Sequence, residues 1–288
     1  MIRRFIAVTA AAVAVLATAA CGEPQTRGES ESSDSSAEPV TLEEVQEAGT
    51  LVVGTEGTYP PFTYHEGGSG ELTGYDVDVA EAVGEKLGVD VQFEETQWDA
   101  LLSGLKAGRF DMVANQVTLT EGRQEDYTFS EPYTYSNGVV VTRSDDDSIS
   151  SFEDLDGTTT AQSLTSNWYN TAEEAGAEIE PVEGWAQSVD LLEQGRVDAT
   201  INDRLSYLNY QEDEDNTNIT IAVQTEEQSE AAMAFPKGSD SLARAVDEAL
   251  DALAEDGTLT EISEEHFGAD YSTSEAATGA GAEEGSGD

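Results

Sequence analysis

Long apolar runs, cysteine and basic side chains are what this sequence has least of. Outside the first twenty residues no stretch is apolar enough to cross a membrane, and the run from Phe5 to about Leu16 is shorter than the ~20 residues a spanning helix needs. The single cysteine, Cys21, has no partner within the chain, so no disulfide braces the fold. Only 12 Lys and Arg stand against 60 Asp and Glu, a formal net charge of −48. Nucleic acid is therefore excluded as a partner, because phosphate binding needs basic patches, and so is adhesion to anionic lipid. The two histidines, His65 and His266, show no metal-ligand spacing, and there is no glycine-rich phosphate loop. Neither a metal nor a cofactor is expected. The carboxylate excess points instead to a protein kept soluble where salt screens repulsion, and hence to a salt-tolerant source.

What is present begins with Arg3 and Arg4, the apolar run, and small residues up to Ala20, the order of a signal peptide over residues 1–20. Leu16-Ala17-Thr18-Ala19-Ala20-Cys21 resembles a bacterial lipobox, with Thr18 where leucine is usual. That resemblance implies a lipid on Cys21 and a chain anchored at the extracellular face of the cell membrane or in the periplasm. Residues 21–40 are Ser-, Glu- and Gly-rich and read as an acidic flexible tether. Residues 271–288 repeat this composition and are expected to be a disordered tail.

Between them the apolar pattern alternates strand and helix. Leu51 to Gly54 reads as a strand, Asp76 to Leu87 as a helix, Val89 to Phe93 as a strand, Trp98 to Lys106 as a helix and Phe110 to Ala114 as a strand. The same order returns after residue 150, with strands at Thr158 to Gln162, near Ile179 and at Val197 to Ile201, and helices at Trp168 to Glu174 and Ser188 to Gln194. A shift of 87 residues lays Trp98 on Trp185, Leu105 on Leu192, Gly108 on Gly195, Arg109 on Arg196, Asp111 on Asp198 and Asn115 on Asn202. This argues for two similar α/β lobes. Lobe 1 takes residues 41–140 and 232–270, and lobe 2 residues 141–231. Strands at Val139 to Thr142 and Ala231 to Phe235 carry the chain between them, and a final helix from about Asp240 to Leu253 rejoins lobe 1. Ligands of open parallel sheets sit beyond the carboxyl ends of the strands, which places Gln116 and Asp203, equivalent under the shift, at the cleft between lobes.

The runs Gly57 to Phe62, Gly74-Tyr75-Asp76-Val77-Asp78, Asn115 to Thr118 with Arg123 beyond, and Phe129 to Tyr133 resemble the amino-acid-binding proteins of bacterial ABC importers, solute-binding protein family 3. With Thr96-Gln97-Trp98-Asp99 the likeness is greatest to the cystine-binding branch. The resemblance implies two Rossmann-like lobes joined by a two-strand hinge, the type II periplasmic-binding-protein-like fold. It also implies a monomer that hands a polar amino acid to importer membrane subunits. Arg123 would grip the ligand carboxylate with help from Thr118, or else form a surface ion pair with Glu121 or Glu125. The carbonyl of Gln116 would accept from the ammonium while its side chain enters the pocket. Asp203 would neutralise the ammonium, or else be a turn residue paired with Arg204.

Thr165, Ser166 and Asn167 precede a helix and would cap an anion or simply the helix itself. Tyr59 and Trp98 would wall the ligand side chain unless they are core, and Glu56 would reach a second polar group. Phe62, Trp168 and Trp185 are read as packing. Closure of the lobes on ligand would be the signal to the importer. Glutamine or glutamate are alternative ligands. A dehydratase on the same fold is the alternative class, with Glu56 and Asp203 as the only cleft acids; the binding reading, not an enzyme, is preferred.

Overall fold

The structure, a computed structural model, describes residues 37–214 and 218–284. The expected signal peptide, Cys21 and the tether up to residue 36 lie outside them. Order begins before the expected start at residue 41, because the Ala37 N–H donates to the Lys106 carbonyl and the Val40 N–H to the Ser239 hydroxyl.

Helix α1 (Leu42–Ala48), closed by a capping box between Thr41 and Glu44, leads into β1 (Thr50–Thr55). A small antiparallel sheet of β2 (Thr58–Tyr59), β3 (Thr63–His65) and β4 (Leu72–Thr73) follows. Then come α2 (Tyr75–Leu87), β5 (Asp90–Glu95), α3 (Trp98–Lys106), β6 (Met112–Val113), α4 (Glu121–Asp126) and the long β7 (Tyr127–Arg143). The second α/β series is β8 (Thr159–Gln162), α5 (Asn167–Glu174), β9 (Glu178–Pro181), α6 (Trp185–Glu193) and β10 (Ala199–Asp203). Helix α7 (Arg204–Glu214), the long β11 (Ile219–Pro236) and helices α8 (Asp240–Glu255), α9 (Thr258–Phe267) and α10 (Ser274–Glu284) complete the order.

Eight strands pair in the order β5-β1-β6-β11-β7-β10-β8-β9. Strands β5, β1 and β6 are parallel to one another, as are β10, β8 and β9, and the antiparallel pair β7 and β11 joins the two sets. Strand β7 pairs with the end of β11 near Tyr127 and with β10 at Val139 to Val141, so it runs from one lobe into the other, and β11 returns. Their ladder is broken between Gln224 and Gln228, where the register shifts.

The two lobes repeat in detail. Asp111 accepts the Val52 N–H at 2.9 Å and donates its own N–H to the Val52 carbonyl; Asp198 does the same with Thr159. Gly108 and Gly195 both turn with positive φ, 73° and 66°, just after α3 and α6. Each aspartate thus ties the strand that follows its helix to the neighbouring parallel strand.

The elements depart from expectation in three places. Strands β7 and β11 far exceed the expected 139–142 and 231–235, because the added length of each pairs with the apolar segment of the other, Tyr127 to Thr134 with Ala231 to Pro236 and Ile219 to Gln224 with Val139 to Arg143. Helix α6 begins at Trp185, not Ser188. The expected disordered tail from residue 271 is helical as far as Glu284: the Tyr135 N–H donates to the Tyr271 carbonyl, Thr273 caps Ala276, and Ala277 and Ala280 pack on the lobe 1 core. The Ser274 hydroxyl also donates to Gln228, beside the break in the β11 ladder. Ending the chain after Thr273 is expected to lower the melting temperature by about 2–5 °C, from roughly 1–2 kcal/mol of lost burial and hydrogen bonding. A melting curve that does not move would show α10 to be a bystander.

Candidate functional site

The carboxyl ends of both parallel sets face one another. Glu56 follows β1, Asn115 and Gln116 follow β6, Ser163 follows β8, and Asn202 and Asp203 end β10; all six border one cavity of about 70 Å³. Trp98 opens α3 on one side and Trp185 opens α6 on the other, as the repeat requires. The cleft is closed over this cavity. The Tyr59 hydroxyl donates to Asn202 Oδ1 at 3.1 Å and accepts from Ser206 at 2.9 Å. The Thr165 hydroxyl donates to Asp99 at 2.6 Å, Arg123 donates to the Thr165 carbonyl at 3.1 Å, and the Gln97 amide donates to the Glu183 carboxylate. Each of these bonds joins one lobe to the other.

Of the residues expected at the site, Glu56, Tyr59, Trp98, Gln116, Thr118, Ser166, Asn167 and Asp203 line the cavity. Arg123 and Thr165 do not. Arg123 lies at the rim, its guanidinium 5.4 Å over the Trp98 ring and donating to the carbonyls of Thr118 and Thr165, so it pairs with backbone rather than with Glu121 or Glu125. Burial pulls it down to about 10, still cationic at neutral pH. The Thr165 hydroxyl and N–H are both spent on Asp99, and Ser166 accepts from the Tyr169 N–H, the plain cap of α5. Thr165 is thus a latch between the lobes and Ser166 a helix cap, while Ser166 and Asn167 both border the cavity.

The Gln116 side chain is fixed at the cavity's edge, donating to Asp76 Oδ1 at 2.7 Å and to Thr134, itself a lining residue, at 3.1 Å. Asp203 is not paired as a turn residue through a side-chain bond to Arg204; Oδ1 accepts from Ser136 and from the Leu205 N–H, both at 2.8 Å. Burial raises it to about 6, against the pull of those two bonds. Burial likewise raises Glu56, although Thr58 and Asn115 hydrogen-bond it.

Trp168 and Trp185, read from sequence as packing, line the cavity. The signal for Trp185 was its place under Trp98 in the repeat; Trp168 had no such signal, and its indole ring lies where a Cβ on Gly138 would come within 2.5 Å. Ser136, Asn202 and Glu183 were missed as well. Three carboxylates, Glu56, Glu183 and Asp203, thus border the cavity, with Arg123 at its rim. A second pocket continues outward past Glu56, Glu183 and Trp185 to Glu95 and Gln97.

Two α/β lobes on a pair of crossing strands, closed over a polar cavity where their parallel strands end, define a cleft receptor for a small solute. The sequence model of the bacterial extracellular solute-binding proteins, family 3, matches residues 51–269, and the chain belongs to that family. It is 51% identical over 226 residues to a probable amino-acid ABC transporter-binding protein of Haemophilus influenzae, covering 78% of this chain and 88% of that one. To the L-cystine-binding protein TcyA of Bacillus subtilis it is 46% identical over 260 residues, 90% of this chain and 96% of that one. Among solved structures, the L-cystine solute receptor of Neisseria gonorrhoeae, unliganded and open, is 47% identical over 81% of this chain and 98% of its own, with a TM-score of 0.55.

Proposed function

We propose that this protein captures a polar amino acid, L-cystine, in the cleft and delivers it to an ABC importer, held at the outer face of the membrane by a lipid on Cys21. The observation that carries the reading is an ionisable, buried Asp203 in the cavity wall on one lobe and, on the other, a cationic Arg123 held against Thr118 and Trp98, two residues of the same wall. An amino acid needs one fixed cation for its carboxylate and one anion for its ammonium, and on this reading Arg123 and Asp203 supply them. Thr118 adds a hydroxyl to the carboxylate side; Tyr59, Trp98, Trp168 and Trp185 wall the ligand. Three carboxylates about one cavity favour a ligand with two ammonium groups, and the pocket beyond Glu56 and Glu183 gives its second half a place to lie. The printed names of the relatives agree with this choice. The chain acts as a monomeric binder, not an enzyme: the raised acids hold ligand charge rather than move protons.

Calorimetric titration of the full chain with L-cystine, L-glutamine, L-glutamate, L-arginine and L-histidine tests the reading. Tight, one-to-one cystine binding that exceeds the others by about a hundredfold is expected. Preference for another amino acid would keep the receptor and replace its ligand, whereas steady heat from turnover would make the protein an enzyme.

A further inference from the structure

Asp76 is a carboxylate cut off from solvent that faces no cation within hydrogen-bond reach. It stands in the first turn of α2, wholly buried, and three donors converge on it. The Gln116 N–H reaches Oδ2 at 2.8 Å, the Gln116 side-chain amide reaches Oδ1 at 2.7 Å, and the Tyr133 hydroxyl reaches Oδ1 at 2.8 Å. Gln116 is the one non-glycine residue with positive φ, 48°, among the described residues. A left-handed backbone is strained for any residue with a side chain, and it persists only where its surroundings enforce it. Here the enforcement comes from one carboxylate that holds the residue by both its backbone and its side chain. On the far side of the same corner, Asn115, Gln116 and Thr118 border the cavity.

We infer that Asp76 is a positioning residue for ligand capture: without touching the ligand, it clamps the corner at Gln116 in its left-handed turn, so that the cavity edge formed by residues 115–118 is set before ligand arrives. The inference rests on the amino-acid-binding reading above. A carboxylate suits the task because both oxygens accept, and three donors must be met; an amide in its place would turn an NH₂ toward at least one of them. Keeping a charge there has a cost. Burial raises Asp76 to about 7, opposed by its hydrogen bonds from Tyr133 and Gln116 and by His266. The groups around it are Tyr133 and Thr134 from β7, Tyr75 beside it on α2, and His266 from α9, which pairs with Asp78 at 2.6 Å. As pH falls through about 7 the clamp takes up a proton and loses an acceptor, and ligand affinity falls with it.

The test is calorimetric affinity for L-cystine from about pH 5.5 to about pH 8.5, in the full chain, for the wild type, Asp76→Asn, Gln116→Gly and the double variant. At the alkaline end Asp76→Asn is expected to bind about tenfold or more weakly and to lose the step near pH 7, keeping only the one near pH 6 that Asp203 sets. With glycine at 116 the left-handed turn costs nothing, so adding Asp76→Asn should then weaken binding less than about threefold. Equal losses in the two backgrounds, or wild-type affinity in Asp76→Asn, would overturn the inference. If Asp76→Asn does not fold, Tyr133→Phe removes one donor from the same carboxylate and should move the step to higher pH; an unmoved step overturns the inference too. A wild type that binds none of the amino acids would instead bring down the reading on which it rests.

Discussion

Replacing Arg123 by alanine is expected to weaken amino-acid binding by about a hundred- to a thousandfold, the effect of leaving a ligand carboxylate without its charged partner inside a closed cleft. In the closed cleft the guanidinium is held in place by the protein itself. It lies against Trp98 and donates to the carbonyls of Thr118 and Thr165, one on each lobe. Two of the bonds of a five-donor fork are therefore structural, which leaves donors of the fork for a ligand. Removing the side chain takes away a latch between the lobes as well as the anion site, so small-angle scattering should show the variant failing to compact at ligand concentrations that close the wild type. Arg123→Lys separates the two roles. It keeps the charge but not the planar fork, and it should cost about tenfold. An alanine variant with unchanged affinity would place the carboxylate elsewhere in the cleft.

How far these features were readable in the sequence depended on whether a local pattern recorded them. The helix over Trp98 to Lys106 was found to the residue, because Leu101, Leu102 and Leu105 mark one face. The parallel strands were legible for the same reason, as short apolar runs next to glycine. The repeat was legible because Asp111 and Asp198 have one task, each tying a strand to its neighbour by a side chain and a backbone bond. By contrast, Tyr127 to Asn137 and Thr220 to Glu230 contain Pro132, Glu226 and Glu227; they are strands mainly because each lies along the apolar part of the other long strand, Tyr127 to Thr134 against Ala231 to Pro236 and Thr220 to Gln224 against Val139 to Thr142. Helix α6 starts at Trp185 after Gly184, an N-cap with no capping side chain to announce it. At the site, the resemblance named Arg123, and the repeat with the resemblance named Asp203, but neither could give their distances from the cavity. Thr165 became a latch, and Gln116 was fixed at the cavity's edge, through contacts with Asp99 and Asp76 made only when the chain is folded. Tryptophans are poor witnesses for the same reason, since Trp168 and Trp185 serve as wall and packing at once.

Asp203→Asn should separate binding from stability, moving them in opposite directions. Asparagine can keep Oδ1 where it accepts from Ser136 and the Leu205 N–H, so the local fold has what it needs. The ligand's ammonium loses its counter-charge, and affinity at pH 8 should fall about a hundredfold. Stability should rise. Burial lifts the Asp203 pKa from 3.8 to about 6, so the folded protein binds more protons than the unfolded chain between those values, and stability falls as pH climbs through that window. Below about pH 4 both states are neutral at this position and the charge costs nothing; above about pH 6 the full cost is present, of order 1–3 kcal/mol. The asparagine variant should therefore melt higher than the wild type at pH 8 and with it at pH 4, while its affinity no longer rises as pH climbs through 6. A variant that lost stability and affinity together would make Asp203 a structural turn residue. Loss of affinity with a gain in stability would mean that the fold holds an unfavourable charge in place for its ligand to neutralise, which also makes ligand binding the step that stabilises the closed cleft most at neutral pH.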